Sequence, residues 1–288
     1  MSTVCVVERS IVGENDVRVF YDNALHCYQA IMGDRWHHGD PEAEASGLSV
    51  VEACERLEER VVSIARLEPG GRALDFGSGI GGPTLHMAKV SGASFVGVTN
   101  NEALNQRARE KAVEAGLSDR VCFLSMGDTD YKNLLAFADA SFDAVTFYES
   151  VCHLPDKAAF FRAAFRVLKP GGRLVGTDWL QRPFGDFRTE EQIMTLIEPV
   201  NAFICLPGLG TVEGYRGMIE GAGFRVESAA DMFANTKCWG STPTTQRAQW
   251  LEYQGPAGEM FRNGKVALDA ARAAGVFTVG MFAAAKRS

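Results

Sequence analysis

From Arg72 onward, short apolar segments alternate with stretches of helical periodicity, and this alternation constrains the fold of the 288-residue chain more than any other feature. Strands are predicted at residues 72–76, 94–98, 121–125, 142–147 and 173–177, and helices near 82–90, 102–115, 130–138 and 157–168. Such alternation predicts a parallel sheet with helices on both faces. Two further strands at 224–229 and 276–284 bring the predicted α/β sheet to seven strands.

The alternation and its flanks divide the chain into four predicted parts. Residues 1–66 are predicted to form an N-terminal helical cap, because apolar side chains recur there at three- and four-residue spacing. Residues 67–180 are predicted to form the sheet core, residues 181–222 a helical lid, and residues 223–288 the strands that complete the sheet.

Charge and cysteine usage exclude several classes of protein. Twenty-nine basic and 36 acidic side chains give a formal net charge of −7, which argues against a nucleic-acid partner. No segment approaches the roughly 18 apolar residues of a membrane span, and no signal peptide is recognisable, so we expect a cytoplasmic protein without a membrane partner. No metal is expected, because the seven cysteines form no Cys-x-x-Cys pair and the adjacent His37 and His38 have no further ligand at suitable spacing.

The first predicted strand runs into a glycine loop, Asp75-Phe76-Gly77-Ser78-Gly79-Ile80-Gly81. Alternate glycines allow positive φ angles and bring the backbone close to a ligand at a helix N-terminus. The spacing differs from the Gly-x-Gly-x-x-Gly of dinucleotide-binding proteins, and the chain lacks the Tyr-x-x-x-Lys pair that an NAD(P)-dependent oxidoreductase would need.

The acid at the start of this loop indicates which ligand it binds. Asp75 would repel a pyrophosphate, whereas its carboxylate can accept hydrogen bonds, directly or through water, from an amino-acid ammonium. S-adenosylmethionine (SAM) has this ammonium and no phosphate. We therefore predict that Asp75, Gly77, Ser78 and Gly79 bind SAM; the alternative is a strand-to-helix turn without a ligand.

Over residues 15–285 the chain resembles the class I SAM-dependent methyltransferases, and most closely their group of γ-tocopherol, sterol and related natural-product enzymes. Besides the loop, the resemblance is carried by Phe20-Tyr21-Asp22, Gly33-Asp34-Arg35-Trp36-His37-His38-Gly39, Gly97-Val98-Thr99-Asn100-Asn101, Glu149-Ser150-Val151-Cys152-His153-Leu154-Pro155-Asp156-Lys157 and Arg166-Val167-Leu168-Lys169-Pro170-Gly171-Gly172. It implies a Rossmann-like seven-stranded methyltransferase sheet, SAM as cofactor and S-adenosylhomocysteine (SAH) as product.

The resemblance also implies a set of cofactor contacts. Thr99, Asn100 and Asn101 follow the second predicted strand, where most of the superfamily carries an acid that holds the ribose; their neutral groups can still bond its hydroxyls. Asp128 would accept a hydrogen bond from the adenine amino group, with a helix N-cap as the alternative. The remaining implied contacts are Tyr21, His38, Gly127, Thr129, Glu149 and Ser150.

Catalytic and acceptor-binding residues follow from the same resemblance. The catalytic set is Tyr21, Glu149 and His153, and the acceptor-binding set is Trp36, Tyr148, Trp179 and Phe203. Aromatic faces and carboxylates can stabilise the carbocation that forms when an alkene attacks the SAM methyl group. His153 would act as a general base or order its loop.

The apolar character of the predicted lid favours a bulky hydrophobic acceptor. The resemblance favours C-methylation of a prenyl or terpenoid alkene, with a prenylated indole alkaloid of the teleocidin type as the preferred acceptor. The alternatives are O- or N-methylation of an aromatic or alkaloid metabolite with His153 as base, or a cyclase that uses the SAM fold. A further hypothesis is a homo-oligomer that forms through the apolar side of the N-terminal helix, at Val17 and Phe20.

Overall fold

The computed structural model describes residues 13–185, 189–234, 238 and 244–287. Within these residues one seven-stranded sheet has the order β3-β2-β1-β4-β5-β7-β6. Its strands are β1 (Arg72–Phe76), β2 (Ser94–Thr99), β3 (Val121–Ser125), β4 (Phe142–Tyr148), β5 (Leu168–Gln181), β6 (Arg225–Asp231) and β7 (Phe277–Ala285).

The directions of the strands confirm part of the expectation. Neighbouring strands among β1 to β5 pair in parallel, as the alternation predicts. The sequence predicted no direction for the two further strands, and β7 alone is reversed, because it runs antiparallel to both β5 and β6. β5 is longer than the predicted segment 173–177 at both ends, because it pairs with Phe142 of β4 from Leu168 and with β7 as far as Gln181. The predicted seven-stranded α/β sheet is confirmed as a mixed sheet.

Helices precede, connect and follow these strands. The described helices are α1 (Glu14–Met32), α2 (Pro41–Ala45), α3 (Val50–Ala65), α4 (Gly82–Ser91), α5 (Glu102–Glu114), α6 (Asp128–Asn133), α7 (Lys157–Val167), α8 (Glu190–Phe203), α9 (Val212–Gly221), α10 (Thr244–Glu252) and α11 (Gly258–Ala273). α1 to α3 lie before the sheet, and α8 and α9 lie between β5 and β6, where the lid is predicted. None of the helices in the described ranges is long and apolar enough to cross a membrane.

The cap is attached to the sheet mainly through α3. Ser49 accepts from the backbone N–H of Glu52, whose carboxylate accepts in return from the Ser49 N–H, so a capping box begins the helix. Leu57 on its buried face lies in one apolar cluster with Phe95 of β2 and Val175 of β5. This packing holds the segment between α1 and α3 against the edge of the sheet.

The apolar side of α1 is covered within the same chain. Val17 and Phe20 are both buried, and Phe20 packs in a cluster with residues of α8 and α11. Self-association through this helix stays a hypothesis, as does the division of the chain into four parts.

We expect Leu57→Ala to lower the free energy of unfolding by about 2–5 kcal/mol, because it empties a fully buried position between α3 and the sheet. The control is Val51→Ala on the exposed side of the same helix, which should change stability by no more than about 0.5 kcal/mol. Denaturant unfolding of both variants measures the difference, and equal effects would contradict the described packing.

Candidate active site

A cavity opens where the order of the strands reverses. β1 pairs with β2 on one side and with β4 on the other, so the carboxyl ends of these three strands meet at one edge of the sheet. Open α/β sheets bind ligands at such switch points. The cavity there encloses about 820 Å³, including its open mouth.

The glycine loop forms one wall of this cavity. Gly77, Gly79 and Gly81 have φ angles of 76°, 52° and 84°, in the left-handed region that side chains disfavour. A Cβ atom on Gly77 would lie 2.2 Å from the Cβ of Ser150, so this position has no room for a side chain. The hydroxyl of Ser150 donates to the backbone oxygen of Phe76 at 2.8 Å and holds the loop against the end of β4.

Two polar side chains of this wall can still form hydrogen bonds to a ligand. The buried Ser78 hydroxyl has no hydrogen-bond partner among the described residues. Asp75 accepts from Thr84 at 2.5 Å and from Thr146 at 2.9 Å, and burial raises its pKa to about 6. Because a carboxylate has about four acceptor sites, Asp75 can still accept from an ammonium group at neutral pH.

Glu149 places a negative charge in the opposite wall. It follows β4 with a φ of 50°, and its side chain is buried. The His38 backbone N–H donates to Oε1 at 2.7 Å, the His38 ring Nδ1 lies 2.9 Å from the same oxygen, and the indole N–H of Trp179 donates to Oε2. Burial raises the pKa of Glu149, but the hydrogen bonds and charge of His38 outweigh it, so the pKa lies below its usual value and the carboxylate is ionised.

Tyr21 and His153 form a hydrogen-bonded pair on a third side. The Nδ1 of His153 lies 3.2 Å from the backbone oxygen of Cys205, which can only accept, so Nδ1 carries the hydrogen. Nε2 therefore accepts from the Tyr21 hydroxyl at 2.9 Å. Burial lowers the pKa of His153 to about 4, so the imidazole is neutral at physiological pH and its lone pair is engaged by Tyr21.

Most residues predicted from the sequence line the cavity. They are Tyr21, Trp36, Asp75, Gly77, Ser78, Gly79, Thr99, Asn100, Tyr148, Glu149, Ser150 and His153. His37 also lines it and was not predicted, although it adjoins the predicted His38.

Other predicted cofactor residues lie elsewhere. His38 stands behind Glu149 and reaches the cavity only through that carboxylate. The Asn101 amide donates to Asp22 at 2.8 Å and so fastens α1 to α5 rather than lining the cavity. Gly127 and Thr129, at the start of α6, do not line it either. The side chain of Asp128 lies outside the described part of the structure.

A second cavity adjoins the first and shares Trp36 with it. It encloses about 440 Å³, including open space, and its walls are mostly aromatic or aliphatic. Its lining residues are Tyr28, Met32, Trp36, Trp179, Ile204, Trp250, Phe261, Gly264, Lys265 and Leu268. Tyr28 was not predicted, although it lies two helical turns beyond Tyr21 on the same face of α1, and this spacing is a signal that could have found it.

Of the predicted acceptor-binding residues, only Phe203 lines neither cavity. It packs beside Gly264 of α11, where an added Cβ would lie 3.4 Å from the Phe203 Cβ and 2.7 Å from the Ile204 Cδ1. The next residue, Ile204, takes the position in the cavity wall that was predicted for Phe203.

The first cavity fits the cofactor predicted from the loop. It combines an ionised carboxylate for a sulfonium cation, an unpartnered buried hydroxyl, a second acid for an ammonium, and the neutral side chains of Thr99 and Asn100 for a ribose. Within the described ranges, no group of three or more His, Cys, Asp or Glu side chains is arranged to hold a metal ion.

Comparison with known proteins gives consistent results. Residues 74–176 match the family model described as a methyltransferase domain. The chain is 32% identical over 245 residues to 27-O-demethylrifamycin SV methyltransferase of Amycolatopsis mediterranei, which covers 83% of this chain and 84% of that protein. It is 34% identical over 221 residues to 24-methylenesterol C-methyltransferase 2 of Oryza sativa subsp. japonica, covering 75% of this chain and 57% of that protein.

The fold agrees with these matches. The crystal structure of the [4+2]-cyclase SpnF superposes with a TM-score of 0.78 at 23% identity and covers 95% of this chain and 97% of the cyclase. The glycine loop, the cavity at the strand-order switch and the identity to the rifamycin methyltransferase lead to one conclusion: the chain belongs to the class I SAM-dependent methyltransferases and uses SAM as its cofactor.

Proposed function

We propose that this enzyme transfers the SAM methyl group to a carbon atom of an alkene in a bulky hydrophobic acceptor, with a prenylated indole alkaloid as the favoured acceptor. The observation that carries the proposal is the aromatic second cavity, which adjoins the cofactor cavity at Trp36. A prenyl or terpenoid group buried against Tyr28, Trp250 and Phe261 would gain the free energy of removing apolar surface from water. The sterol C-methyltransferase relative supports the same class of acceptor.

The charges around the two cavities suit attack by an alkene. When bound, SAM supplies an electrophilic methyl group. Attack by the π electrons of the acceptor would form the new carbon–carbon bond as SAH leaves, and the positive charge left on the acceptor would be discharged by loss of a neighbouring proton to a base, for which the ionised Glu149 is available. The ionised Glu149 and the ring faces of Trp36 and Trp179 lie where they can stabilise this charge.

Two observations support alternative reactions. The name of the rifamycin relative, 27-O-demethylrifamycin SV methyltransferase, indicates that it methylates an oxygen atom. In the present chain, the neutral His153 bonded to Tyr21 could remove a proton from a hydroxyl or an amine. The structural similarity to SpnF supports a cyclase that uses the same fold.

The experiment that separates these reactions uses SAM labelled with ¹³C in its methyl group. The purified protein is incubated with a prenylated indole, a sterol and a simple phenol, and SAH formation and the NMR shift of the new methyl are recorded. We expect a carbon-bound methyl on the prenyl side chain of the indole. A label on oxygen or nitrogen would overturn C-methylation, and rearranged product without SAH would identify a cyclase.

Glu149→Gln should slow methyl transfer by about 10²- to 10³-fold, which is the typical loss when one group that stabilises transition-state charge is removed. Glu114→Gln, at an exposed site on α5, is the control and should leave the rate unchanged. Rapid-quench measurement of SAH formation gives both rates, and calorimetric binding of SAH verifies that the cavity is intact. An unchanged rate in the Glu149 variant would exclude a role for its charge.

His153→Gln tests whether the acceptor loses a proton during transfer. An alkene attacks without prior deprotonation, so the variant should form SAH in a single turnover within about tenfold of the normal rate. If a hydroxyl or amine is methylated, loss of the general base should cost about 10²- to 10⁴-fold. That larger loss would contradict the alkene proposal.

A further inference from the structure

Glu58 is a buried carboxylate that the proposed reaction does not use. It lies on α3, is fully buried and lines neither cavity. It accepts from Arg35 Nε at 2.9 Å and from His37 Nε2 at 3.1 Å, and it makes a short contact with His86 Nδ1 of α4. A buried acid with three donors from two other elements is ionised, because removing a charge from water is tolerated only when it is paired. Accordingly, although burial raises the pKa of Glu58, the donors lower it to about 2.

The geometry around His37 fixes its protonation state. Its Nε2 faces the Glu58 carboxylate, and its Nδ1 lies 2.8 Å from the backbone oxygen of His38. Both partners can only accept, so both ring nitrogens carry a hydrogen and His37 is an imidazolium cation. Burial lowers the pKa of His37, but its hydrogen bond to Glu58 and the charge of Glu58 raise it above its usual value.

This cation holds the residue that orients Glu149. The backbone of His38 is fixed at both ends, because its carbonyl accepts from His37 and its N–H donates to Glu149 Oε1 at 2.7 Å. If His37 loses its Nδ1 hydrogen, the carbonyl of His38 loses its donor and the backbone is free to turn. The direction of the Glu149 carboxylate therefore depends on a proton of His37, to which it is linked through the backbone of His38 by two hydrogen bonds.

We propose that Glu58 and His37 are positioning residues, whose buried ion pair holds His38 so that the Glu149 carboxylate faces the cofactor. This inference rests on the charge role of Glu149 in the proposed function.

The ionisable groups around His37 come from every element packed against it: Arg35, His38, Cys54, Glu58, Asp75, His86, Tyr148 and Glu149.

The direction of the pH dependence follows from these groups. The pKa of His37 is raised in the folded protein. The hydrogen bond from protonated His37 to His38 is therefore fully present below pH about 6.5, the ordinary pKa of histidine. It is lost as the pH rises through the higher pKa of the folded protein. In Glu58→Gln the amide cannot supply a negative charge, so burial would lower the pKa of His37. The orientation of Glu149 would then be lost at a lower pH.

The test uses probes of the cofactor cavity and needs no acceptor. Sinefungin carries an ammonium where SAM carries its sulfonium, whereas SAH is neutral there, so the ratio of their affinities reports the charge that the cavity presents. Calorimetry across pH 5–9 gives this ratio, and ¹³C and ¹⁵N NMR of labelled histidine rings gives the titration midpoint of His37. The ring signals are assigned with His37→Gln.

Glu58→Gln should lower two midpoints by at least about one pH unit, a tenfold change in proton affinity. One is the titration midpoint of His37, and the other is the pH at which the preference for sinefungin over SAH is lost. The matched control is Glu55→Gln, because Glu55 also pairs with Arg35 at 2.9 Å but does not contact His37. Both midpoints should stay in place in this control. If Glu58→Gln fails to fold, His37→Gln is used instead. This variant should have a low preference for sinefungin over SAH that does not change with pH.

The outcomes separate this inference from the proposed function. Unchanged midpoints in Glu58→Gln, or equal shifts in Glu55→Gln, would overturn the positioning role. If His37 shifts as expected but the wild-type protein never prefers sinefungin to SAH, the charge role of Glu149 fails, and the link from His37 to the cavity fails with it.

Discussion

The rest of the structure depends on one buried carboxylate beside the cofactor cavity. Glu149 has a left-handed backbone and accepts hydrogen bonds from His38 and Trp179, which belong to different parts of the chain. Because a buried charge without partners costs several kcal/mol, these donors must stay in place. The same requirement therefore holds the segment after α1, the end of β4 and the end of β5 together, and it forms the wall shared by the cofactor and the proposed acceptor.

Much of the sheet could be predicted because local apolar patterns determine where strands form. β1 and β3 have the predicted limits, and the break after α1 begins at Gly33, which has a φ of 66°. The direction of β7 could not be predicted, because a strand buried on both faces has the same residue pattern whether its neighbour is parallel or antiparallel. The extension of β5 beyond Thr177 depends on that pairing and was missed for the same reason.

The candidate site was predictable where its residues follow strand ends, since topology brings those ends together. Residues of the second cavity such as Trp250 and Phe261 were missed because aromatic side chains on helices α10 and α11 have the same pattern as core residues. Glu58 was missed as well, although an acid three residues before Val61 and four after Cys54 interrupts the buried face of α3. Its partners become visible only in three dimensions, because His37 lies 21 positions away.

Methyl transfer as proposed requires an ionised carboxylate that faces the cationic centre of the cofactor. A crystal structure with sinefungin at neutral pH would show whether Glu149 has this position. We expect the ligand's ammonium within hydrogen-bonding distance of the Glu149 carboxylate, with both His38 donors and Trp179 still bonded to that side chain. A Glu149 side chain turned away from the ligand, with its position taken by water or by a neutral group, would exclude this role.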